Sequence, residues 1–242
     1  MQDEANPGRA TKHRRLRSAT RALAMLAALY LALAYAFLPT FWTWWDDKES
    51  PASTYMLTVT PQGIPGDPIN VGLVGSKEQV LRAFAAAKWD PADAITLRSS
   101  IEIGASVVLD RPYPDAPVST LLYDGRHQDL AFEKPVGKSA DQRHHIRLWL
   151  VSSDGEDNRP MWLGSASFDR GVGLSHDTGQ ITHHIGPDVD AERDNVILDL
   201  ANAGVLSRQY QIPGRGPTNS GRNGGGDPYF TDGMVTVGVL VP

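Results

Sequence analysis

From Ala22 to Leu38 the chain runs seventeen residues without a charge, built mostly of Ala and Leu. As a helix this run covers roughly 26 Å, slightly less than a hydrocarbon core of about 30 Å. Phe41, Trp42, Trp44 and Trp45 follow at once, an aromatic cluster of the kind that settles at the headgroup level. Arg9, Lys12, Arg14, Arg15, Arg17 and Arg21 precede the run, and Asp46, Asp47, Lys48 and Glu49 follow it. The positive-inside rule then predicts a cytoplasmic amino terminus, a single-pass anchor in the cell membrane and an extracytoplasmic carboxy-terminal domain. A cleaved secretory signal competes, because Ala32-Leu33-Ala34 and Ala34-Tyr35-Ala36 offer small residues at suitable spacing. The apolar run continues through both sites to the aromatic belt, which favours an uncleaved anchor.

Charge sharpens the division. The chain of 242 residues has a net charge of -5, of which residues 1 to 45 contribute +4, leaving -9 on residues 46 to 242. An exported acidic domain is a poor match to nucleic acid backbones, and no nucleic acid partner is expected. The chain has no cysteine, which excludes disulfides, thiolate zinc sites and cysteine nucleophiles. The organisation read from these features is a basic cytoplasmic segment at 1–21, an anchor at 22–45, a linker at 46–53 and one domain at 54–242.

Within that domain, strand-like runs occur at 55–60, 69–74, 119–123, 128–133, 144–151, 161–168, 206–212 and 234–241. Ser76 and Gln79 have capping-box spacing, and Val80, Leu81, Phe84 and Ala87 share a helical face, predicting a helix over 77–88. A second helix is expected over 98–110, before Pro112, Pro114 and Pro117. A third starts after Gly186-Pro187, carries Asp188, Asp190 and Glu192 in its first turns, and ends at Gly204. Many strands without regular βαβ alternation define an α+β class, with a mixed or antiparallel sheet and two or three helices behind one transmembrane helix.

The densest chemical grouping is the stretch from Gly179 to Asp194, with His183, His184, Asp188, Asp190 and Glu192. A strand delivering two histidines to a carboxylate-rich helix start gathers donors that zinc or manganese accepts. The same pattern also describes a core histidine beside acids that cap a helix. On the strand that opens at Arg143-His144-His145, alternation puts His145 and Arg147 on one face and His144, Ile146 and Leu148 on the other. A polar site and a solvated strand edge both fit this arrangement. Residues 214–233 hold seven glycines together with Arg215, Arg222 and Asp227. No Gly-Lys-Ser/Thr ending follows them, so neither phosphate-loop pattern applies. The chain also has no Gly-x-Ser-x-Gly elbow.

Several blocks in order carry a resemblance: Asn70-Val-Gly-Leu-Val-Gly75, Thr96-Leu-Arg-Ser-Ser100, Arg111-Pro-Tyr-Pro114, Gln128-Asp-Leu-Ala-Phe-Glu-Lys-Pro135, Arg143-His-His145, Asp169-Arg-Gly-Val-Gly173, Gly179-Gln-Ile-Thr-His-His184, Asp188-Val-Asp-Ala-Glu-Arg-Asp194 and Ser220-Gly-Arg-Asn-Gly-Gly-Gly-Asp227. Over about residues 55 to 240 the chain resembles the LssY C-terminal domain family. In other members this domain follows multi-span segments resembling DedA proteins or type 2 phosphatidic-acid phosphatases, whereas here a lone span takes their place. The resemblance therefore marks the family pattern without assigning catalytic roles.

Two functions follow as expectations. One is a metal-assisted hydrolase of a phosphorylated or lipid-linked envelope substrate. In it His183, His184 and Asp188 would bind a divalent zinc or manganese ion with His145 or His127, while Arg147, Arg170, Arg222 and Asp227 serve the reaction. The other is a non-catalytic binding or assembly module that holds an integral membrane or secretion partner.

Overall fold

A computed structural model describes residues 7–42, 56–93, 98, 120–137, 142–214 and 220–242. Helix α1 (Pro7–Ala32) passes into a π-helical turn at Leu33–Phe37 and stays helical to Trp42. Arg17–Trp42 is long and apolar enough to cross a membrane, and Leu23, Met25, Leu26 and Leu29 are exposed along it. The expected helix over 98–110 lies outside the described residues apart from Arg98.

The strands, in chain order, are β1 (Leu57–Val59), β2 (Pro65–Pro68), β3 (Val71–Val74), β4 (Asp90–Pro91), β5 (Leu122–Tyr123), β6 (Arg126–His127), β7 (Leu130–Pro135), β8 (Arg143–Ser152), β9 (Met161–Leu174), β10 (Ile181–Ile185), β11 (Leu206–Pro213), β12 (Ser220–Arg222), β13 (Pro228–Phe230) and β14 (Met234–Leu240). The main sheet has the order β11-β14-β3-β9-β8-β7-β4. Its β14–β3 pair is parallel and its other neighbours are antiparallel. The class is therefore α+β with a mixed sheet. Strand β10 pairs with the far half of β9, from Asp169 to Leu174, so this hairpin projects beyond the pairing of β9 with β8.

Among the described residues, two helices cover one face of the sheet. Helix α2 (Lys77–Ala86) begins with the full capping box, in which Gln79 N donates to Ser76 Oγ at 3.2 Å and Ser76 N donates to Gln79 Oε1 at 2.8 Å. Helix α3 (Val189–Asn202) starts at Asp188, whose side chain accepts from Ala191 N. Val80, Leu81 and Phe84 of α2 and Val196, Ile197 and Leu200 of α3 are buried against Leu73, Leu130, Phe132, Ile146, Leu148 and Trp162. The Phe84 and Phe132 rings stack 4.1 Å apart. Asn70 ties this layer to the sheet, donating to the Ala166 and Val189 carbonyls and accepting from Ala166 N.

The opposite face has two parts. A smaller four-stranded sheet has the order β2-β1-β5-β6. Around β14, Ile69, Trp149, Leu163, Val235, Val237 and Val239 form a second apolar cluster, with Met56, just before β1, and Tyr123 of the smaller sheet against it. Further along β8 and β9 the same face turns polar and stays buried.

Candidate functional site

Strand pairing assembles the polar part of that face row by row. Ala131, Arg147 and Ser165 are cross-strand neighbours, as are Glu133, His145 and Ser167, and as are Pro135, Arg143 and Asp169. Alternation along three strands thus turns all their charged members to one side. Every charged or hydroxyl side chain in these rows is at least 97% buried. Arg143 forms the centre of the ion network, 2.8 Å from Glu133 Oε2 through Nη1 and 2.9 Å from Asp169 Oδ2 through Nε. His145 Nδ1 lies 3.3 Å from Asp169 Oδ1. Arg147 Nη1 lies 3.7 Å from Oδ2 of Asp67, which β2 brings in from the smaller sheet.

Burial dominates the protonation chemistry here. Desolvation pushes the carboxyls of Asp67 and Glu133 above their ordinary range, despite the nearby guanidinium groups. At Asp169 burial acts in the same sense, but the charges and hydrogen bonds of His145 and Arg143 outweigh it and hold the carboxyl below its usual range. Desolvation lowers the basicity of Arg147 and of His183. Stripping an ion of water costs several kcal/mol before partners repay it. A buried cluster that apolar residues could replace therefore marks a candidate functional site.

A cavity of about 310 Å³ opens against this stripe. Asp67, His145, Arg147, Asp169 and His183 line it, and Asn223, Gly224 and Gly225 close one side. Asn223 fixes that loop by accepting from Gly225 N and Asp227 N. His145 Nε2 is buried and has no hydrogen-bond partner among the described residues. With Nδ1 facing Asp169, the imidazole is held in a set orientation while its second nitrogen keeps an unused hydrogen-bonding position.

The neighbouring histidines on β10 separate, as period-2 alternation requires. His183 lines the cavity, with Nε2 3.4 Å from Arg143 Nη2. His184 turns away and meets Asp227, Nδ1 to Oδ1 at 2.8 Å. His176 Nε2 reaches the same Asp227 oxygen at 3.5 Å. The donor atoms of His176, His184 and Asp227 lie within 4.8 Å of one another and could hold a metal ion. A Cβ at Gly173 would collide with the His184 ring, so glycine there makes room for it.

The set expected to bind metal is not brought together as a unit. His145 and His183 face the cavity, His184 belongs with His176, and Asp188 is exposed as the N-cap of α3. Arg170 is exposed and donates Nε to the Ile185 carbonyl. Arg222 is exposed and donates to the Gly226 carbonyl, and His127 is exposed on β6. Asp227 is buried, with Oδ2 accepting from Ile185 N. His145 and Arg147 lie on a central strand of the sheet rather than at a solvated edge. Asp67 and His176 escape sequence reasoning because each joins its partners only through tertiary pairing. Asp169, Arg143 and Glu133 sit inside family blocks, and the shared face of strands β7 to β9 is the signal that could have linked them.

The family model for the LssY C-terminus matches residues 50–235. The chain belongs to the LssY C-terminal family. No curated protein and no solved structure matches the chain.

Proposed function

We propose that this is a single-pass membrane protein, with its amino terminus in the cytoplasm, whose extracytoplasmic domain hydrolyses a phosphorylated, lipid-linked substrate of the cell envelope. The observation that carries the reading is His145, oriented by Asp169, with a buried and unpartnered Nε2, in the wall of the cavity that Arg147 and His183 also line. With Nε2 unprotonated and Nδ1–H donated to Asp169, the imidazole accepts on Nε2 the proton of a water that attacks phosphorus, and the imidazolium so formed is the charged form that Asp169 stabilises. The ester P–O bond breaks, and the departing oxygen recovers the proton from Nε2. Arg147 neutralises charge that develops on the phosphoryl oxygens. Asp169 acts as a positioning residue through His145.

A divalent ion of the zinc or manganese class fits His176, His184 and Asp227, whose two imidazole nitrogens and one carboxylate oxygen are suitable donors. His176 is 59% exposed on its side chain, which leaves coordination positions open to water. Such an ion would supply Lewis-acid charge beside the Asn223–Asp227 loop.

Phosphate release from a panel of phosphorylated lipids, measured on the full chain in nanodiscs, tests the reading. His145→Asn is expected to cut turnover by about 10²–10⁴-fold while leaving the melting temperature close to that of the wild type. Elemental analysis should find stoichiometric metal that His184→Ala loses. A wild-type protein that releases no phosphate, but retains a membrane protein partner, would replace this reading with a binding module.

A further inference from the structure

The apolar helix does not stand clear of the domain. Tyr30 Oη donates to the Gly179 carbonyl at 2.8 Å, Gln180 Nε2 donates to the Ala34 carbonyl at 2.9 Å, and Trp42 Nε1 donates to the Asp177 carbonyl at 2.8 Å. The second contact falls in the π-helical turn, a wide turn of the kind that admits a side chain to the backbone ladder. All three contacts reach one feature, the turn between β9 and β10.

Helix geometry sets the depth of that feature. Tyr30 lies nine residues beyond Arg21, about 14 Å along the axis, and Trp42 lies a further twelve residues on, about 18 Å. A hydrocarbon core of about 30 Å measured from Arg21 would still include Ala34 and end near Trp42. A turn that touches Tyr30, Ala34 and Trp42 together cannot lie wholly in bulk water unless the helix does too.

The turn is chemically prepared for such a position. Each of its backbone N–H groups from Ser175 to Gln180 has an acceptor. Ser175 N donates to the Gln180 carbonyl, His176 N to the Gly225 carbonyl, and Gly179 N to the Ser175 carbonyl. Asp177 N and Thr178 N donate to Ser175 Oγ, and Gln180 N donates to Thr178 Oγ1. Satisfied donors are part of what a backbone needs where water is scarce. Beside the turn, Val172 and Leu174 are 52% and 56% exposed, an apolar pair on the strand that leads into it. His176 and Asp177, at the Trp42 end of the turn, hold that end at the polar headgroup layer, since ionisable groups are costly in the hydrocarbon, while Gly179 and Gln180 reach down to Tyr30 and Ala34.

We infer that the β9–β10 turn, with Val172 and Leu174, is seated across the outer boundary of the bilayer, with Asp177 at the headgroup layer and Gly179 and Gln180 on the hydrocarbon side, so that the cavity behind it receives the anionic head of a membrane phospholipid. Gln180 makes the connection directly, because it both touches the helix and lines the cavity. The inference rests on the reading of the helix as an anchor and of the cavity as the substrate site.

Absence of native cysteine permits a direct measurement. Val172→Cys, Leu174→Cys and the control Val151→Cys, at the opposite end of the sheet, would each carry a nitroxide on the full chain in phosphatidylcholine–phosphatidylglycerol nanodiscs. The expected result is a high ratio of oxygen to nickel-complex accessibility at positions 172 and 174, and a bulk-water ratio at 151. Equal, water-like ratios at all three positions overturn the seating, whatever the enzyme does. In a second arm, Val172→Asp/Leu174→Asp should lower hydrolysis of a bilayer phospholipid by at least about tenfold and spare a short-chain soluble phosphate ester. Equal loss of both, or loss of neither, overturns delivery from the membrane. If the wild type hydrolyses neither ester, the hydrolase reading fails and the accessibility ratios alone decide the seating.

Discussion

Strand β8 meets two different environments on its two faces. Ile146 and Leu148 point under α2 and α3 into an apolar layer, while Arg143, His145 and Arg147 point into a buried polar stripe. Both faces are buried. On the first, burial itself is the driving force, so each methylene adds stability. On the second, burial opposes the charges, and the geometry survives only because partners are placed within about 3 Å of one another. The comparison separates residues that make the domain fold from residues that the domain folds in order to hold.

Breaking the second face at its centre should have the largest effect. Arg143→Ala leaves Glu133 and Asp169 buried without their shared cation, with an expected loss of about 3–5 kcal/mol in denaturant unfolding of the full chain. Replacing all three residues together, as Glu133→Leu/Arg143→Met/Asp169→Leu, should cost little or even stabilise by about 1–4 kcal/mol, while abolishing turnover. If the triple variant is as unstable as Arg143→Ala, the polar stripe is part of the folding core and the contrast between the faces fails. On the apolar face no such rescue exists. Leu148→Ala should cost about 2–5 kcal/mol by leaving a cavity, without altering the residues that line the site.

Acid distinguishes the faces without changing a side chain. The Asp169 carboxyl is ordinary in the unfolded chain and held below that range in the folded one. The unfolded state therefore binds the proton first, so the stability due to Asp169 is fully present above about pH 4 and drains away as pH falls through the lower folded value. Asp67 and Glu133 are raised by burial and act in the opposite sense, gaining stability as pH falls through their elevated values. The stability advantage of wild type over Asp169→Asn should thus shrink below about pH 4. An advantage that stays constant down to acid unfolding would mean that Asp169 carries no depressed carboxyl.

The faces also differ in how far the sequence alone reveals them. The apolar one is written locally, in the spacing of Val80, Leu81 and Phe84, in the Ser76–Gln79 box, and in the acids that open α3, because each of these signals acts within one or two turns. The alternation of Arg143 to Leu148 likewise separates His145 and Arg147 from Ile146 and Leu148. It does not reveal that β9 and β7 supply Asp169 and Glu133 at matching registers, since pairing partners are set by the whole sheet. The grouping of His183, His184 and Asp188 fails as a unit for a local reason that was available: neighbours on a strand diverge, and an N-cap aspartate is occupied with its own helix. His176 joins His184 only because the hairpin folds back on itself and the Asn223–Asp227 loop crosses it.

The smallest expected change is also the most discriminating. Ser165 is fully buried beside Arg147, and its Oγ has no hydrogen-bond partner among the described residues. A hydroxyl that only fills space in a folding core is a liability there, and Ser165→Ala should then be neutral or stabilising by up to about 1 kcal/mol. If instead the polar face exists to bind an anion, the same hydroxyl is a donor waiting for it. Ser165→Ala would leave the melting temperature of the free protein unchanged or raised, yet weaken the additional stabilisation that a phosphorylated lipid confers. Thermal unfolding with and without that lipid reads both quantities in one experiment. Equal ligand-induced shifts in the two proteins would assign Ser165 to packing, and limit the binding surface to His145, Arg147, His183 and the glycine loop.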